Sequence, residues 1–167
     1  MKKVLFFVAL VMAAISANAQ WFAGGNVNVD LRRGYNALTF SPDFGYAWEE
    51  CPLSVGLSLA SDFYQDKELG EPFALSSICA APFVRCTYLS LDRFDLFLEL
   101  DTDFTLFDGF SWDDIGFSPG VSFMLTEHWS AEFMIGFIGY YNSDDRNRGF
   151  GANMDLSTSS FGIYYNF

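Results

Sequence analysis

The chain has 167 residues, enough for one domain, and carries a net charge of −12. That charge excludes nucleic acid as a partner, because phosphate binding needs a basic surface. The 20 Phe, 8 Tyr and 4 Trp exceed what a small soluble core needs and suit a lipid-facing wall with aromatic belts.

Residues 1–19 read as a secretory signal peptide. Lys2 and Lys3 form a basic start, residues 4–15 are an apolar run, and Ala17-Asn18-Ala19 is a small-x-small cleavage site. The run is too short for a membrane-spanning helix, which needs roughly 20 apolar residues. Cleavage after Ala19 leaves a mature chain from Gln20, two charges more negative, with no cysteine at its start to take a lipid. Residues 20–167 are expected to form one barrel domain. No peptidoglycan-binding domain is expected after Phe167.

The mature chain shows apolar/polar alternation of period two, the signature of strands with unlike faces. Eight such segments follow in order. In residues 21–31, Trp21, Val27, Val29 and Leu31 oppose Asn26, Asn28 and Asp30. In residues 37–48, Leu38, Phe40, Phe44, Tyr46 and Trp48 oppose Thr39, Ser41, Asp43 and Gly45. Residues 53–63 set Leu53, Val55, Leu57 and Leu59 against Ser54, Gly56, Ser58 and Ala60. Residues 73–88 are less regular, with Pro82, Val84 and Cys86 against Ala81, Phe83 and Arg85. Residues 94–104 set Leu96, Leu98, Leu100 and Phe104 against Asp95, Phe97, Glu99, Asp101 and Asp103. Residues 115–125 alternate Phe117, Pro119, Val121 and Phe123 with Ser118, Gly120 and Ser122. Residues 129–141 set Trp129, Ala131, Phe133, Ile135 and Phe137 against Ser130, Glu132, Met134 and Gly136. The last segment sets Phe161, Ile163, Tyr165 and Phe167 against Ser160, Gly162, Tyr164 and Asn166; its upstream half, residues 152–159, alternates poorly and suggests a bulge.

These lengths fit the 9–11 residues that a tilted strand uses to cross a bilayer. The fold expected is all-β: an eight-stranded antiparallel up-and-down transmembrane β-barrel. A soluble sandwich could bury the same apolar faces. Two patterns favour the membrane version. With the N-terminus on the periplasmic side, Trp21, Trp48 and Trp129 fall at the periplasmic strand ends with Tyr88 and Phe167, an aromatic girdle, while Phe63, Phe104, Phe110, Trp112 and Tyr141 mark the opposite end. Short connections at residues 49–52, 89–93 and 126–128 alternate with longer ones at 32–36, 64–72, 105–114 and 142–151, as in outer-membrane barrels. Closure requires the last strand to pair with the first.

Three features carry a family resemblance: the run Pro42-Asp43-Phe44-Gly45-Tyr46, the run Pro82-Phe83-Val84-Arg85, and a last strand of alternating aromatics ending in Phe167. With these the chain resembles the small outer-membrane β-barrel proteins of the Bacteroidota, OmpA- and OmpX-like in architecture. Cys86 and Thr87 stand where that family often has two tyrosines. The resemblance implies a bacterial outer-membrane location. It also implies lipids and lipopolysaccharide as neighbours, and recognition of the last strand by the barrel-assembly machinery. It implies no particular activity.

Parity points Asp43, Asp95, Glu99, Asp101, Asp103 and Glu132 inward, with Arg85 as the one basic residue well inside. A buried charge needs a partner, so Arg85 is expected to pair with Asp95 across the hairpin, with Glu99 or Glu132 nearby. One reading of this lumen is a narrow cation-preferring pore or small-solute conduit. The other is a polar plug, favoured because eight strands leave room only for side chains. His128, the sole histidine, falls in an expected periplasmic turn, away from the outer surface where lipid A-modifying barrels work, so no catalysis is expected. Without a Cys/His cluster no metal site and no cofactor are expected. The charged outer connections read as a solvated surface or as a contact surface for an unknown ligand. Cys79 and Cys86 are about 23 Å apart by strand rise and cannot bridge. Cys51 and Cys86 lie nearly opposite in a hairpin, and a disulfide there is a possibility the register leaves open. The role expected is structural or surface-interacting.

Overall fold

The computed structural model describes residues 19–31, 34–48, 51–70, 72–106, 111–141, 149–154 and 159–167. The signal-peptide reading of residues 1–19 falls almost wholly outside the described residues; only Ala19 is included, pairing with Trp48.

Ten strand segments make eight barrel strands. They are β1 (Ala19–Leu31), β2 (Tyr35–Trp48), β3 (Leu53–Asp66), β4 (Ala74–Leu91), β5 (Phe94–Thr105), β6 (Ser111–Met124), β7 (Trp129–Met134), β8 (Phe137–Tyr141), β9 (Gly149–Asn153) and β10 (Ser160–Asn166). The seventh barrel strand is β7 with β8, and the eighth is β9 with β10. Sequential antiparallel pairing runs from β1 to β7, and β10 then joins β7 to β1, so the sheet closes on itself. The closing ladder runs from Phe22↔Asn166 to Val27↔Phe161. Among the described residues the β1–β10 ladder stops at Val27, and β9 pairs with β8 alone.

Alternation sets the two faces. Along β3 and β4, Leu57, Leu59, Pro82 and Val84 stand outward and exposed, while Ser54, Ala81, Phe83 and Arg85 are buried inside. The outward face keeps large apolar side chains on every barrel strand, among them Val29, Phe44, Leu59, Val84, Leu98, Phe117, Ile135 and Phe161.

Short connections gather at one end, here the tryptophan end. Asp92 and Arg93 alone turn β4 into β5, so β4 runs to Leu91 and the expected 89–93 connection shrinks to two residues. Residues 125–128 join β6 to β7, and the Thr126 hydroxyl accepts from the His128 and Trp129 amides to fix the turn. The far end, the loop end, carries longer connections at 67–73, 106–110 and 142–148, but β1 and β2 are joined there by residues 32–34 alone, so the expected 32–36 connection is shorter than those at 49–52 and 125–128.

The seventh strand is not continuous. Gly120 pairs with Met134, but Phe117 pairs with Ile138, so one extra residue enters at Ile135–Gly136. This is a β-bulge. Gly136 has φ 72° and a Cβ there would meet the Asn153 carbonyl oxygen at 2.5 Å, so glycine is required. The bulge reverses parity beyond it. Phe137, expected outward, turns inward, and Tyr141, expected in the outer aromatic belt, shares the inward register of Asp114. Of that belt, Phe63 stacks on Phe73 and Phe104 pairs with Trp112 in the ladder; Phe110 lies outside the described residues. The eighth strand breaks between Asn153 and Ser160, within the stretch where alternation fails.

Candidate functional site

The barrel interior has two halves, a packed one towards the tryptophan end and a hollow one towards the loop end. The packed half is built on Arg85 of β4. Its ladder partner is Glu99 of β5. Arg85 Nε donates to Glu99 Oε2 at 2.9 Å, and Nη1 donates to Glu132 Oε1 of β7 at 2.8 Å. All three residues are buried, at 7%, 6% and 5% exposure. One guanidinium therefore ties two carboxylates from different walls of the barrel, the forked geometry that arginine is suited to.

Four rings surround this clamp. The Arg85 guanidinium carbon lies 4.0 Å from the centre of Phe97, 5.7 Å from Phe83 and 5.6 Å from Tyr164. Phe22 meets Phe83 and Tyr164 at 6.3 and 6.1 Å between ring centres. The rings fit because each lies over a glycine directly across the ladder: Phe22 over Gly45, Phe83 over Gly56, Phe97 over Gly120 and Tyr164 over Gly24. A Cβ added at these glycines would sit 2.1–2.4 Å from a ring atom. Ring and glycine together fill one side chain's worth of lumen per pair. The cation–π faces and two ion pairs offset the desolvation of Arg85.

Above the clamp, Asn26, Asp43 and Tyr164 form a second buried group. Asn26 Nδ2 donates to Asp43 Oδ2 at 2.8 Å and contacts Tyr164 Oη at 2.6 Å, while the Tyr164 hydroxyl donates to Asp43 Oδ2. Beyond them the inward residues are small or acidic: Ser41, Ser58, Ala60, Asp62, Ala81, Asp101 and Asp103. They leave a cavity of about 320 Å³, with Glu99 and Phe83 in its lining. Asp62 accepts from the Thr39 hydroxyl at 2.6 Å and from Ser77, and Asp101 accepts from Ser118 at 3.0 Å.

The structure brings Arg85, Glu99 and Glu132 together and sets Asp43 and Asp101 around the cavity above them. Asp95 is not part of this network. The tight Asp92–Arg93 turn and a bulge between Thr87 and Leu89 place Asp95 opposite Ser90, whose hydroxyl donates to it near the tryptophan end, so Arg85 faces Glu99. The rings were missed in the sequence because Phe83 and Phe97 sit among polar neighbours of like parity; the cue is a glycine directly across the ladder from each.

The proposed disulfide does not form. Cys51, Cys79 and Cys86 are all free thiols, and the ladder puts Leu53 rather than Cys51 opposite Cys86. Cys51 lies beyond the strand end. At the tryptophan end, Trp21 packs against Phe44 and Tyr46, Tyr46 against Trp48, and Tyr165 against Trp129 and Phe167. Tyr88 sits at the β4 bulge and is 62% exposed. His128 lies in the turn at this same end, with Nδ1 3.1 Å from the Asn166 carbonyl oxygen. Among the described residues no three His, Cys, Asp or Glu side chains are grouped to hold a metal ion.

The chain matches no known family model and no curated protein sequence.

Proposed function

We propose that this chain is an integral β-barrel of a bacterial outer membrane, of the small OmpA/OmpX-like kind, with a closed lumen and a structural or surface-interacting role. The observation that carries the membrane setting is the outward face: a barrel-wide band of exposed Val, Leu, Ile and Phe. Water-soluble monomers rarely expose contiguous apolar patches above a few hundred Å². The aromatic cluster of Trp21, Trp48, Trp129 and Phe167 at one end fits an interfacial girdle. On this reading residues 1–19 direct export, the alternating Phe161, Ile163, Tyr165 and Phe167 address the assembly machinery, and lipid and lipopolysaccharide surround the wall. The Arg85 clamp supports a plug over a pore, since no open path is expected through eight strands filled by side chains.

The test starts from urea-unfolded protein diluted into buffer with or without detergent micelles. Folding to a heat-modifiable, faster-migrating species only with micelles is the expected result. A folded protein that stays in solution without detergent would end the membrane reading. The micelle-folded protein should then be silent in a planar bilayer. Reproducible cation-selective steps from it would replace the plug with the conduit reading, which the acidic upper lumen favours.

A further inference from the structure

The seventh and eighth barrel strands are interrupted at the same level of the wall. On the seventh, Ile135 and Gly136 lie between the last β7 pair, Met134↔Ser160, and the first β8 pair, Phe137↔Asn153. On the eighth, the six residues 154–159 span the same interval. Two residues facing six cannot keep register, so the ladder between these strands stops and restarts there. Gly136, at φ 72°, supplies a backbone turn that a side chain beside the Asn153 carbonyl would block. The neighbouring β6 runs past this level unbroken, from Ser111 to Met124.

Beyond the interruption, β8 and β9 hold each other. They pair over their whole length, from Phe137↔Asn153 to Tyr141↔Gly149. The rings of Phe137 and Tyr141 pack at 5.1 Å between centres. Tyr141 also lies over Gly151 of β9, where an added Cβ would come 3.2 Å from its ring. The hold on the rest of the wall is slighter. Four residue pairs join β8 to β6, from Asp114↔Tyr141 to Phe117↔Ile138. Among them Gly116 faces Gly139, and the Phe137 ring lies over both: an added Cβ would come 2.5 and 2.7 Å from Phe137 Cζ. Phe137 therefore fastens the hairpin to β6 from inside. On the outer face, Phe150 of β9 is 78% exposed and packs little against the wall.

Proteins open locally in contiguous units that often coincide with a hairpin, and the units with few packed contacts to their surroundings open first. We propose that β8 and β9 open together as a flap in the barrel wall, hinged at Gly136 and parted from β10 after Asn153, with Phe137 as its latch on β6. Phe137 lines the cavity of the hollow half, so each opening carries that ring out of the wall and gives the cavity a side entrance near the loop end. The Arg85 clamp lies below the hinge and stays shut. The flap does not depend on the membrane setting, so the two readings fail separately.

The test is hydrogen exchange of the folded barrel, read by peptide mass spectrometry. Peptides over residues 137–141 and 149–153 should lose protection together, at least about tenfold faster than peptides over β7 and β10, as a separate opening unit requires. The control is the loop-end pairing of β2 with β3, Tyr35↔Asp66 to Phe40↔Ser61, whose strands continue into the rest of the barrel. The flap should also exchange faster than this control. Phe137→Ala removes the latch, and Gly116→Ala pushes against it from β6. Each should speed β8 and β9 further and leave β7 and β10 unchanged. The wild-type comparison decides the matter even where a variant fails to fold. Exchange of β8 and β9 no faster than the control overturns the flap, and so does β9 exchanging without β8. Folded variants that change nothing, or that speed β7 and β10 equally, overturn the latch.

Discussion

The two halves of the lumen are lined by the same strands, on the same parity, yet one is full and the other hollow. In the packed half, Phe22, Phe83, Phe97 and Tyr164 each lie over a glycine, and Arg85 fills the centre. In the hollow half the corresponding inward positions are Ser41, Ser58, Ala60 and Ala81, and Phe137 is delivered to the wall by the bulge at Gly136. The comparison teaches that polar parity does not decide whether a small barrel is plugged. Side-chain volume does, position by position across the ladder.

The sharpest way to break this contrast is to remove the charge at the centre of the plug. Arg85→Ala leaves Glu99 and Glu132 buried and uncompensated, a loss of about 3–5 kcal/mol. Urea titration of the refolded barrel, followed by tryptophan fluorescence and gel migration, reads it directly. The triple change Arg85→Met, Glu99→Gln and Glu132→Gln removes all three charges while keeping volume, and it should recover most of the loss. A single variant as stable as wild type would mean water, not protein, neutralises these carboxylates.

A smaller effect compares one added increment of side chain in each half. Gly120→Ala drives a Cβ to 2.2 Å from a Phe97 ring carbon, and displacing a packed ring costs about 1–3 kcal/mol. Ala60→Val adds two methyl groups facing the cavity, where there is space, and should change stability by less than about 0.5 kcal/mol. Equal losses at the two sites, measured by the same urea titration, would show that the upper lumen is as tightly packed as the lower.

Much of this architecture is legible in the sequence because a period of two needs no tertiary information. Leu57 and Ser58, or Val84 and Arg85, declare their faces by chemistry alone. The misses share one cause: a local insertion that shifts register without changing composition. Ile135-Gly136-Phe137 reads as unbroken alternation, since glycine fits a strand face as well as a bulge, and the positive φ that marks the bulge is invisible in the letters. Arg85 meets Glu99 and not Asp95 because two residues suffice to turn β4 into β5 and the Thr87/Leu89 bulge shifts the ladder by one more. Cys51 misses Cys86 because the register sets Leu53 there. The Asn26–Asp43–Tyr164 group could not be read at all, because it depends on contacts between β1, β2 and β10.

The three cysteines sharpen the comparison between inside and outside without perturbing the fold. Cys51 is exposed beyond the end of β3, Cys79 faces the cavity at 9% exposure, and Cys86 stands on the outward face of β4 beside Val84. In lipid vesicles a small cationic thiosulfonate reagent should modify Cys51 fastest, because it meets water freely. Cys79 should follow slowly, since the reagent reaches it only through the cavity. Cys86 should stay unmodified over the same interval, because a thiolate is needed for attack and lipid excludes both the charged form and the reagent. Peptide mass spectrometry separates the three sites. If Cys86 keeps pace with Cys51, the outward apolar face is in water and the barrel is not lipid-embedded; if Cys79 keeps pace with Cys51, the upper lumen is open to water.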